Sequence, residues 1–161
     1  MKQLKILFVC LGNICRSPAA EAIMKHLVEK EGLSHRIFCD SAGTSDYHIG
    51  ESPDRRMQAA AKKRGIQVEG KARQIEPFDL EYYDLILAMD KSNYYDILAL
   101  DPAGKYKDKV KLICEFATTF DDKEVPDPYY GGEAGFNYVL DLLLDACSGL
   151  LAHCKKLLAD S

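Results

Sequence analysis

The stretch from Leu4 to Ser17, LKILFVCLGNICRS, constrains the chain more than any other, because it joins an apolar run to a cysteine, a short loop and an arginine. Leu4, Ile6, Leu7, Phe8 and Val9 are nearly unbroken strand formers, the pattern of a strand covered on both faces in a parallel sheet. Ser17-Pro18 predicts a helix start, with Ser17 as N-cap and proline at the first helical position, where its missing N–H costs nothing. Only Leu11, Gly12, Asn13, Ile14, Cys15 and Arg16 lie between, so the connection is a compact loop with inward-turned N–H groups. Such a nest at a helix N-terminus binds an anion.

If that anion is a phosphoryl group under attack, each residue type has a task. Cys10 is the candidate nucleophile, because loop dipoles, the helix terminus and Arg16 all favour a thiolate. Arg16 offers a planar fork that holds two phosphoryl oxygens at once, which lysine cannot do. Gly12 lets the backbone approach the anion, and Asn13 tolerates the left-handed conformation a tight loop demands. The Ser17 hydroxyl is placed to donate a hydrogen bond to the sulfur.

A length of 161 residues with 47% hydrophobic content predicts one domain, residues 1–161, burying about 68–70% of its unfolded surface. A net charge of −4 without a basic cluster argues against nucleic acid or an anionic membrane as the partner. The six cysteines lack paired ligand spacing and the density of a disulfide scaffold, so most are expected as reduced thiols. The apolar run near the start is short and has no small-residue cleavage site, and no stretch reads as a membrane span. A cytoplasmic protein is the expectation. His26, His35, His48 and His153 share no metal-ligand spacing, so neither metal nor cofactor is expected.

Further along, the pattern predicts a helix from Pro18 to about Glu31, a strand over Arg36–Ala42 and a polar loop through Tyr47. Ser52-Pro53 signals a second helix to Arg64, and residues 66–80 carry no clear pattern. Tyr83–Met89 reads as a strand, Asp90 as the start of a helix to about Leu100, and Val110–Cys114 as a fourth strand. A long loop, Thr118–Gly132, precedes an amphipathic helix from Phe136 onward. Cys39, Cys114, Cys147 and Cys154 read as core residues. The alternation predicts an α/β fold, a three-layer doubly wound sandwich on a four-stranded parallel sheet of order 2-1-3-4 with helices on both faces. Cys10, Ser41 and Asp90 all follow strand ends, the edge where such sheets bind ligands.

CLGNICRS together with DPYY at Asp127–Tyr130 resembles the low-molecular-weight protein tyrosine phosphatases. DSAGTS at Asp40–Ser45, KARQI at Lys71–Ile75 and Met89-Asp90 match family segments in the expected order, over essentially the full length. The resemblance implies Cys10 as nucleophile, Arg16 as phosphate clamp and Asp127 as general acid, then base. The chemistry needs the same parts, since expelling a tyrosine oxygen takes a proton donor opposite the thiolate. Pro126 and Pro128 restrict the loop that delivers Asp127. By analogy with the family, Tyr129 and Tyr130 form one aromatic wall and Tyr47 the other, a slot that phosphotyrosine reaches through and phosphoserine does not. Asp90 resembles the aspartate that orients the loop arginine, and it also suits a helix N-cap. Ser41 looks like a support for the loop through Asn13. Gly70 departs from the family pattern, because many relatives carry histidine there.

Cys15 lies close enough to Cys10 in sequence to trap an oxidised nucleophile as a disulfide, or else packs as a small hydrophobe. The expected partners are phosphotyrosine proteins or peptides and small aryl phosphates, with inhibition by phosphate-like oxyanions, and the protein itself is expected to be a monomer. Arsenate reductases of similar fold relay a disulfide through further cysteines, which Tyr82–Met89 lacks. Arginine phosphatases of the family tend to carry threonine where Ile14 stands. A phosphocarrier domain accepting phosphate on cysteine does not need Asp127, and a silent phosphotyrosine-binding module does not need an intact nucleophile.

Overall fold

A computed structural model describes residues 3–129 and 131–160. Strand β1, Leu4–Cys10, lies between β2, Ile37–Gly43, and β3, Leu85–Ala88. With β4, Val110–Leu112, these form a parallel sheet of order β2-β1-β3-β4, as the alternation predicts. Successive β1 residues point to opposite faces. Leu4, Ile6 and Phe8 join a core with Ile23, Leu140 and Cys147, while Leu7 and Val9 join one with Leu80 and Ile97. Full burial of each large side chain contributes about 1.5–3 kcal/mol, which makes β1 the anchor of the sheet.

The first core is covered by α1, Arg16–Lys30, α2, Arg55–Lys62, and α5, Glu133–Ala159. The second is covered by α3, Pro77–Tyr82, and α4, Lys91–Leu98. Helix α5 has the length and apolar character of a membrane span, contrary to the sequence expectation, yet half of its most apolar window is buried in the fold. Its apolar residues, among them Phe136, Val139 and Leu143, are buried in the first core.

Several boundaries differ from the sequence expectation. Helix α1 begins at Arg16, two residues before the expected start at Pro18, so Ser17 does not cap it. Ser17 is inside the helix because its hydroxyl is engaged by Cys10 and Asn13. Helix α2 is capped by Asp54, whose carboxylate accepts from the Arg56 N–H, and not by Ser52. The segment without a clear pattern runs into α3, where the Asp79 side chain accepts from the Glu76 N–H at 2.8 Å. Strand β4 stops at Leu112 because Ile113–Phe116 tightens into a 3₁₀ turn. Cys114, Cys147 and Cys154 are buried, whereas Cys39 is only half-buried, on the outer strand β2.

Candidate active site

The turn from β1 into α1 is closed from within. Asn13 has φ 59°, the left-handed conformation, and its N–H lies 3.3 Å from the Cys10 Sγ. Its side chain then ties three segments together. The amide nitrogen donates to Ser17 Oγ at 2.8 Å and Ser41 Oγ at 3.0 Å, while the amide oxygen accepts from the Arg73 N–H at 3.0 Å. The loop support is therefore complete at Asn13 although Gly70, at φ 112°, carries no side chain. Ser41 in turn donates to Glu21 at 2.7 Å. Gly43, at the end of β2, is required by close approach, since a Cβ there would lie 2.7 Å from the Leu11 carbonyl oxygen.

Cys10 is 3% exposed at the base of the turn, with Ser17 Oγ 3.0 Å from its sulfur. At that distance the hydroxyl can donate to a thiolate. The N-terminus of α1 begins at Arg16, so its unpaired N–H groups and positive dipole end sit beside the same space. Cys15 is buried, and that burial, reinforced by Asp54 and Cys10, pushes its thiol pKa far up.

Arg16 is almost fully buried, and Nη1 donates to Asp90 Oδ2 at 2.7 Å and to the Val125 carbonyl at 3.0 Å. Burial opposes its charge, but Cys10, Asp90 and Asp127 together push its pKa above the ordinary value. The other Asp90 oxygen accepts from the Asn93 N–H at 2.8 Å and caps α4, so this residue serves both purposes suggested by its position. Asp127 Oδ2 lies 3.6 Å from Arg16 Nη2, and Oδ1 accepts from the Tyr129 N–H at 3.0 Å.

These groups line a cleft of about 110 Å³, bounded by Leu11, Gly12, Ile14, Tyr47, His48 and Tyr129 above Cys10, Cys15, Arg16 and Asp127. Tyr47 and Tyr129 thus share one cleft, and Tyr130 lies outside the described residues. A wider groove of about 560 Å³, along Gln58, Lys62 and Val68, holds no cysteine or carboxylate.

Three contributors carry no local signal in the sequence. His48 pairs with Glu51 at 2.8 Å and faces Tyr129 with ring centroids 6.0 Å apart. Glu21 receives the Ser41 hydroxyl from the outer face of α1. Arg56 donates to the Tyr129 carbonyl at 2.8 Å across 73 positions of chain.

Residues 5–160 match the family model described as low molecular weight phosphotyrosine protein phosphatase. A Synechocystis sp. protein named for that family is 61% identical over 95% of this chain and 98% of its own. The crystal structure of a protein tyrosine phosphatase from Entamoeba histolytica superposes with TM-score 0.93 at 48% identity, covering 96% of this chain and 98% of that one. The Drosophila arginine phosphatase gives TM-score 0.87 at 35% identity, over 94% of this chain and 98% of its own. An oxyanion-sized cleft built on β1 and α1, in a chain that matches across nearly its whole length, leads to one assignment: this chain belongs to the low molecular weight protein-tyrosine phosphatase family.

Proposed function

We propose that the chain hydrolyses phosphotyrosine in proteins or peptides, and aryl phosphates generally, through a cysteinyl-phosphate on Cys10. The observation that carries this reading is Asp127 beside Arg16 in the cleft that Cys10 floors. In the first step the Cys10 thiolate attacks phosphorus, the bond from phosphorus to the aryl oxygen breaks, and the Asp127 carboxyl gives its proton to the departing oxygen. Water then attacks the phosphorus, the Asp127 carboxylate takes the proton, and the sulfur–phosphorus bond breaks to release phosphate and the thiolate. Arg16 and the N–H groups of residues 11–16 stabilise the charge on the equatorial oxygens. The same donors explain an expected inhibition by phosphate-like oxyanions.

Substrate class follows from depth and wall chemistry. The sulfur is nearly buried while Tyr47 is 73% exposed at the mouth, so a flat, long phosphorylated side chain suits the cleft better than a short one. Ile14 contributes no hydroxyl to the attack, which favours phosphotyrosine over phosphoarginine. Cys15 is proposed as the partner that captures an oxidised Cys10.

The test is single-turnover and steady-state assay with phosphotyrosine, phosphoserine, phosphoarginine and arsenate, using wild type, Cys10→Ser and Asp127→Asn. Wild type turns over phosphotyrosine and forms a phosphoenzyme that rapid quenching traps, and Cys10→Ser does neither while still binding phosphate. For Asp127→Asn, the rate of phosphoenzyme formation depends more steeply on leaving-group pKa, with losses of about 100- to 10,000-fold for basic leaving groups. Turnover by Cys10→Ser near the wild-type rate excludes the covalent route, and preference for phosphoarginine replaces the substrate assignment.

A further inference from the structure

Asp127 lies midway between two carbonyls, each held by an arginine. Two residues before it, Val125 O accepts from Arg16 Nη1 at 3.0 Å, and two residues after it, Tyr129 O accepts from Arg56 Nη2 at 2.8 Å. The Val125 side is also pinned by its N–H, which donates to the Met89 carbonyl at 2.8 Å. On the Tyr129 side, Arg56 reaches in from the first turn of α2 and also approaches the Gly131 carbonyl at 3.5 Å.

The guanidinium is itself fixed. Asp54 Oδ1 accepts from Arg56 Nε at 3.1 Å and Oδ2 from Nη2 at 2.9 Å, a fork-to-fork pair that lysine cannot reproduce. Its plane lies over the Phe136 ring at 4.8 Å and the Tyr129 ring at 5.5 Å. Asp54 completes the connection, because its N–H donates to the Ile14 carbonyl at 2.8 Å within the turn between β1 and α1. Hydrogen bonds therefore run from Ile14 through Asp54 and Arg56 to Tyr129, joining the nucleophile's loop to the segment that carries Asp127.

We infer that Arg56 is a positioning residue for acid catalysis, setting where the Asp127 carboxyl meets the leaving-group oxygen and how the Tyr129 ring walls the cleft. The inference rests on Asp127 being the general acid. Arg56 is not among the residues that line the cleft over Cys10, so its loss acts on proton delivery and not on binding of the transferring group. Proton transfer needs heavy atoms within about 2.6–3.2 Å, so a small drift of the loop is costly where the leaving group is basic and nearly silent where it is not.

The experiment is phosphoenzyme formation from a series of aryl phosphates by wild type, Arg56→Ala, Arg56→Met, Arg56→Lys, Asp127→Asn and the Arg56→Ala/Asp127→Asn pair. Arg56→Met keeps an apolar stem over Phe136 while removing every donor. With phenyl phosphate, Arg56→Ala and Arg56→Met are expected to be slower by about tenfold, a part of the general-acid contribution, and para-nitrophenyl phosphate changes by about twofold or less. Arg56→Lys recovers part of the loss, inhibition by inorganic phosphate stays within about twofold, and adding Arg56→Ala to Asp127→Asn changes nothing further. A wild-type slope for both Arg56 variants beside a steep slope for Asp127→Asn overturns the role of Arg56. So does a loss that is equal for all substrates and persists in the pair. If Asp127→Asn itself keeps the wild-type slope, the acid assignment fails first and the role of Arg56 falls with it.

Discussion

Arg16 and Asp90 meet through a 2.7 Å hydrogen bond that links the first residue of α1 to the residue capping α4. One carboxylate thus orients the Arg16 guanidinium with Oδ2 and satisfies the Asn93 N–H with Oδ1. Removing it should be felt in both stability and rate. Asp90→Ala is expected to lose about 0.5–2 kcal/mol of stability through the cap. Its turnover falls at the same time, by roughly tenfold or more. Asp90→Asn retains a capping oxygen, so it should recover the melting temperature and not the rate. Denaturant titration beside steady-state kinetics separates the two, and equal recovery of both would contradict the division of labour.

Arg16→Lys keeps a positive charge but loses the planar fork, whose Nη1 reaches Asp90 and Val125 and which the proposed mechanism needs for the phosphoryl oxygens. Its turnover should fall by at least about a hundredfold, as when a donor to developing negative charge is removed. Inhibition by inorganic phosphate should weaken in parallel. Little change in both quantities would remove Arg16 from its proposed role.

Peroxide treatment should inactivate the protein reversibly. Peroxide oxidises the Cys10 thiolate to a sulfenic acid, the Cys15 thiol displaces water from it to form a disulfide, and added thiol reduces that bond. Because burial, Asp54 and Cys10 push the Cys15 pKa far up, disulfide formation should quicken as pH rises. Peptide mapping should find Cys10 joined to Cys15. Recovery of Cys15→Ser as complete as that of wild type would show that Cys15 protects nothing.

Asp145 holds the start of the loop that leads to Asp127, accepting from the N–H groups of Thr118, Thr119 and Phe120 at 3.0–3.2 Å. Burial is the largest single influence and opposes its charge, but these backbone bonds and the Thr118 hydroxyl together prevail and lower its pKa below the ordinary carboxylate value. A folded-state pKa below the unfolded value adds stability that is present above the unfolded pKa and lost as pH falls through the folded one. Asp145→Asn should therefore cost about 1 kcal/mol at neutral pH. The difference in melting temperature from wild type should close below about pH 4. A difference independent of pH would assign the effect to packing.

The sheet and its order were legible in the sequence because their signals are local. A nearly unbroken apolar run marks β1 and an unbroken one marks β3, and glycine and proline punctuate the elements between. The loop from Cys10 to Arg16 was equally legible, since its strand, glycine, asparagine and helix start are contiguous. Asp127 and the tyrosine walls were reached through family resemblance, because nothing near them in sequence marks an acid or a pocket.

What tertiary structure alone decided concerns partners far apart in the chain. Ser17 looks like an N-cap locally, but Cys10, Asn13 and the Ala42 carbonyl compete for its hydroxyl and place it inside α1. Ser52 carries the same local signal, yet Asp54 caps α2 because Arg56 engages its carboxylate while its own N–H reaches Ile14. Helix α3, with too few residues to show a period, is held by Asp79 through both Glu76 and Arg73. His48, Glu21 and Arg56 belong to the site only through contacts made once the sheet has brought its strand ends together. Propensity and periodicity are properties of neighbours in sequence, whereas a hydrogen bond goes to whichever partner the fold leaves nearest, and that partner has no local trace.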